Sequence, residues 1–213
     1  MTSWWGESNI MNKLKFAFVA GVLTVGVVSA NATWYTSEAS FQAAIAATKY
    51  TEDFSNFTFG SPLSGQTSWS APGANGFGWD ASAVSGLYSN ISALSTNVAN
   101  DPLNITNTGA AITAFGGLFR NTDISGNSIA GTTTVTITGV GANSVTNATG
   151  QAGQFLGWVG NVSLTSISIL STSTATNNWP EVDHVIVGNA VPEPATMAVL
   201  GLGAAALLRR RRK

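Results

Sequence analysis

Apolar and polar positions alternate with a period of two through most of the second half of this chain. In "TTTVTITGV", Val135 and Ile137 fall on one face and threonines on the other. "SLTSISIL" sets Ile167 and Ile169 against serines, and "EVDHVIVG" alternates in the same way. That spacing predicts strands with one wet face. "ITAFGGLFR" and "QFLGWVG" are more continuously apolar and predict buried strands. Clusters of Gly, Asn and Ser separate these runs at short intervals, as in an antiparallel sandwich. One stretch departs from the pattern. "TWYTSEASFQAAIAATKY" predicts a helix, with Ser37 at its N-cap, Glu38 in its first turn, and Phe41, Ile45 and Thr48 on one face. "SGQTSWSAPGANGFGWDASAVSG", residues 64–86, is the least regular and predicts loops with short strands.

Two further apolar runs lie outside this body. Phe16 to Ala30 follows Lys13 and Lys15 and precedes Ala30-Asn31-Ala32, a small-x-small site. Residues 1–32 are thus expected to hold a signal peptide, cut by signal peptidase after Ala32. About 15 residues at a 1.5 Å rise span roughly 22 Å, too short for a hydrocarbon core of about 30 Å. "MTSWWGESNI" does not suit a signal peptide, so Met11 is expected to be the initiator and residues 1–10 an upstream extension. At the other end, Ala195 to Leu208 is apolar and leads into Arg209, Arg210, Arg211, Arg212 and Lys213. Cations beside an apolar segment stay on the cytoplasmic side, so these five are expected to stop transfer. They are not expected to bind nucleic acid. The body, residues 33–190, carries two cations, Lys49 and Arg120, against eight acids, a net charge of about −6.

The chain has 213 residues and no cysteine, which excludes disulfides, thiolate metal sites and cysteine nucleophiles. His184 is the single histidine. No G-x-S-x-G elbow accompanies it, and in a regular strand Asp183 would point to the opposite face. Among Glu52, Asp53, Glu181 and Asp183 a pair could be spaced for glycoside hydrolysis, but few other charged side chains are present to fix a sugar. The expectation is a non-enzymatic protein without a catalytic residue. Trp69, Phe77 and Trp79 are either core residues or an exposed platform for glycans.

Val191-Pro192-Glu193-Pro194, followed by the apolar run and the basic end, resembles the PEP-CTERM sorting signal of Gram-negative bacteria. The resemblance implies that residues 191–213 are processed by an exosortase. It also implies transient anchoring in the inner membrane and a destination at the cell surface or extracellular matrix, linked to exopolysaccharide and biofilm. The order "AFGGLFRNTD", "GTTTVTITG", "FLGWVG" and "PEVDHVIVG" is similar to a β-sandwich ectodomain common among such proteins. That similarity implies a jelly-roll-like, lectin-like fold. A carbohydrate-binding module is therefore the alternative to a structural role. Sandwiches of this kind often hold structural calcium, for which Glu52, Asp53 and Asp183 are the candidate ligands, on terminal strands that can neighbour each other.

Overall fold

A computed structural model describes residues 32–173 and 177–191, with the single position 202. The signal-peptide reading up to Asn31, and the sorting residues Pro192, Glu193, Pro194 and Arg209 to Lys213, lie outside the described residues. The body is mainly β with one short helix. Its order is β1 (Thr33–Tyr35), α1 (Glu38–Ala44), β2 (Ile45–Glu52), β3 (Ser64–Ser70), β4 (Trp79–Asn90), β5 (Ala93–Thr96) and β6 (Leu103–Asn107). Then follow β7 (Ala114–Thr122), β8 (Gly131–Ile137), β9 (Gly141–Asn147), β10 (Gln154–Val159), β11 (Ser166–Thr172) and β12 (Trp179–Ala190).

All pairings are antiparallel. The path runs β1-β10-β7-β12-β5-β4-β6-β11-β8-β9, with β2 added beside β12 and β3 beside β4. The sheet folds over on itself at β12. The last half of that strand pairs β2, from Val185 opposite Glu52 to Ala190 opposite Ile45. Its first half instead pairs β5, with Glu181 opposite Ser95. Along most of its length it also pairs β7. One strand therefore belongs to both layers. The far side is closed by a side chain and not a ladder: Asn147 Nδ2 of β9 donates to the Phe119 carbonyl of β7 at 3.2 Å.

The alternating runs become strands because their apolar positions meet between the layers. Val135, Ile137, Ile167 and Ile169 are buried there with Trp79, Trp158, Phe115, Phe119 and Leu103. On the outer face of the first layer a second cluster forms, with Phe41 of α1 on Ile45, Ala114, Phe155, Val159 and Ile186. Gly116 and Gly157 sit opposite each other in β7 and β10. The bare backbone between them receives Phe41, and a Cβ at Gly157 would lie 2.5 Å from the Phe41 ring.

Two expectations change. The helix covers only Glu38–Ala44, with Ser37 at the N-cap position but making no side-chain cap bond. Ile45 onward becomes β2, because pairing with β12 outweighs the helix propensity of Ala46 and Ala47, and Ile45, Thr48, Tyr50 and Thr51 suit a strand. Residues 64–86 are more regular than expected. They fold as the β3–β4 hairpin, turning through 71–78, where Ala74 and Phe77 exchange backbone hydrogen bonds.

The Phe41 seat generates a prediction. Gly157→Ala should overpack it and destabilise the protein by about 1–3 kcal/mol in urea denaturation. An unchanged unfolding midpoint would show that the helix is not held by this glycine pair.

Candidate functional site

The aromatic trio does not form an exposed platform. Trp79 is 1% and Phe77 6% exposed, and both belong to the main core. Trp69 is half-buried against them. Its ring lies 5.5 Å from that of Trp79 and 5.2 Å from that of Phe57, both edge-on. Alternation explains this: Trp79, Ala81 and Ala83 share the inward face of β4.

The proposed calcium ligands meet a different partner. Strands β2 and β12 do neighbour each other, and Glu52 sits opposite Val185. Yet each acid is already engaged. Glu52 accepts from the Tyr50 hydroxyl and, at 2.9 Å, from the Phe54 amide. Asp53 accepts from His184 Nδ1, and Asp183 from the His184 amide at 2.6 Å. Among the described residues no three His, Asp or Glu side chains are grouped to hold a metal ion.

His184 itself is turned by the backbone. Pairing between β12 and β7 shifts register between Asp183 and Ile186, and His184 has φ +49°. That conformation costs a non-glycine residue about 1–3 kcal/mol. A bulge re-aims its side chain, here away from the strand's regular alternation. The ring reaches Asp53 on one side and Glu38 on the other, with Nε2 3.0 Å from Glu38 Oε1. Two acceptors on two ring nitrogens favour the doubly protonated form. Burial pulls the His184 pKa down, but hydrogen bonds to Glu38 and Asp53 outweigh it, and the value rises above the usual 6.5. The histidine thus clasps α1 and the end of β2 to β12.

Three residues earlier in β12 lies a second polar site, which sequence reasoning did not assemble. Glu181 is 1% exposed. It pairs with Arg120 Nε of β7 and accepts from Asn90 Nδ2 of β4 at 2.6 Å. Asn90 Oδ1 in turn accepts from the Ile91 amide at 2.9 Å. Burial pushes the Glu181 carboxyl up, and the Arg120 charge and the Asn90 amide offset only part of that. The sequence separations are 61 and 91 residues. One signal did exist: Arg120 is the one charge in a run that reads as a buried strand, and a charge there calls for a partner. Glu181 also lines a cleft of about 350 Å³.

The histidine clasp generates a pH prediction. A raised folded value means that His184 contributes stability fully below pH 6.5 and loses it as pH rises through that folded value. The urea midpoint should fall across neutral pH, and His184→Gln should flatten the decline. An equal decline in the variant would assign it to other groups.

No curated protein matches the chain. The model of the PEP-CTERM protein-sorting motif matches residues 190–213. Those residues continue directly from β12, whose last residue is Ala190, and Val191 donates its amide to the Ala44 carbonyl of α1 at 3.1 Å. The motif supports export, transient membrane anchoring and processing by an exosortase, and here it follows an antiparallel β-sandwich body.

Proposed function

We propose that this protein does passive structural or adhesive work at the surface or in the extracellular matrix of a Gram-negative bacterium, in association with exopolysaccharide and biofilm. The observation that carries the reading is the sorting motif at residues 190–213. A signal peptide and the exosortase then act in sequence, and the cations Arg209 to Lys213 hold the tail at the inner membrane until cleavage. The role is non-enzymatic. The nearly closed sandwich, filled by a continuous apolar core, supports it. The alternative is a carbohydrate-binding module. Its original aromatic trio is core, so that reading needs a different surface.

Deleting Pro192 to Lys213 should release the body in soluble form and abolish the processed, envelope-bound species. Substituting Glu193 with alanine should impair processing while leaving export intact. Fractionation and electrophoretic migration of the precursor and product check both. A deleted form that fractionates and migrates like its parent would overturn the sorting reading.

A further inference from the structure

Two turns face each other across the cleft beside Glu181, and each presents a large apolar side chain to solvent. In the first, Thr58 and Ser61 exchange backbone hydrogen bonds of 2.8 and 3.0 Å, and Gly60 donates to the Ser89 carbonyl of β4 at 2.8 Å. Phe59 at its tip is 53% exposed and stands edge-on to Tyr88, with ring centroids 5.3 Å apart. In the second, Asp123 Oδ1 accepts from the Ser125 amide at 2.8 Å and the Asn127 amide at 2.9 Å. Ile124 at that tip is 78% exposed. Both turns are tied internally and to the sheet. Their exposed apolar tips are therefore held in place without being buried.

Between these walls the lining is polar and partly sealed. Asn90 and Glu181 are both more than nine-tenths buried and both line the cleft, with Trp179 beside them. Each Glu181 oxygen accepts one hydrogen bond, from Arg120 and from Asn90. A carboxylate has capacity for about four, so acceptor sites remain for a ligand's hydroxyl protons. The volume of about 350 Å³ falls in the range of about 300–1,000 Å³ usual for small-ligand sites.

We infer that this cleft binds a neutral sugar residue, as a terminal or single unit of a glycan. The apolar walls suit the C–H faces of a pyranose, and the carboxylate and amide suit its hydroxyls. The charge balance sets the specificity. Arg120 is consumed by Glu181, and the cleft's other charged residue is Asp123, whose carboxylate is held ionised: burial acts against this, but hydrogen bonds from Asn127 and Ser125 prevail and lower its pKa. A uronic acid or phosphorylated sugar would meet a negative rim and no free cation. Position agrees with this use. Trp179 and Glu181 open β12, whereas the sorting motif leaves its far end, some 12 residues and about 35 Å along the strand. A chain held by its tail would turn the cleft away from the membrane. This deepens the carbohydrate-binding alternative and does not rest on sorting.

The test is an NMR titration of the full chain in mild detergent, with neutral gluco- and manno-oligosaccharides and with an oligouronate as the charged control. Millimolar neutral oligosaccharide should shift Trp179, Asn90 and Gly126 resonances, and the oligouronate should not. Phe59→Ala and Ile124→Ala, both at exposed tips, should each weaken binding about tenfold with an unchanged melting point. The proposal is overturned if no neutral oligosaccharide shifts the cleft, if the oligouronate binds equally well, or if both variants bind like the parent. Failure here leaves the sorting result untouched, because that is read from precursor processing.

Discussion

Everything in this molecule hangs on a carboxylate buried where one strand serves two layers. At Glu181, β12 is opposite both Ser95 of β5 and Arg120 of β7. A buried anion is tolerated only when it is paired and hydrogen-bonded. Arg120 and Asn90 supply those partners, so the side chains of β12, β7 and β4 are drawn to one point. Ser95 adds a bond from its hydroxyl to the Pro180 carbonyl at 2.9 Å. The ion pair is a weak source of net stability, since its desolvation cost is high. Its role here is to fix where the sheet folds over, and the same groups then form the polar lining of the cleft.

The rest of β12 carries a second and different fastening. His184, displaced by the bulge, holds Glu38 and Asp53 from the helix and from the end of β2. Phe41 seats in the bare backbone of Gly116 and Gly157 on the same outer face. The helix is thus pinned by packing at its centre and by charge at its start, and Ala44 at its end receives the Val191 amide. The sorting motif accordingly departs from a braced corner. The body is built so that its tail and its cleft occupy opposite ends of one continuous strand.

The period-two pattern made much of this legible. Val135, Ile137, Ile167 and Ile169 point inward as their spacing required, because a half-buried strand writes its register into the sequence. The tail was legible because its motif is local and its charges are contiguous. What stayed hidden was nonlocal. Trp79 looks the same in sequence whether it lies in a core or on a platform, and only packing against core residues such as Phe54 and Trp69 buries it. Residues 45–52 were hidden for the same reason, since β12 lies far along the chain. The bulge at His184 was invisible to alternation, which assumes that no residue is inserted. Glu181, Arg120 and Asn90 come from three separate strands, and no spacing rule links them.

The most direct test of this account is a double-mutant cycle at the fork, using Arg120→Met, Glu181→Leu and the double variant in urea denaturation. Arg120→Met alone should destabilise strongly, by about 3–5 kcal/mol, because it strands a buried carboxylate. The double variant should recover part of that loss, giving a coupling of about 1–3 kcal/mol. Single effects that add to within about 0.5 kcal/mol would show that the pair does not act as a unit, and would contradict the claim that it fixes the fold of the sheet.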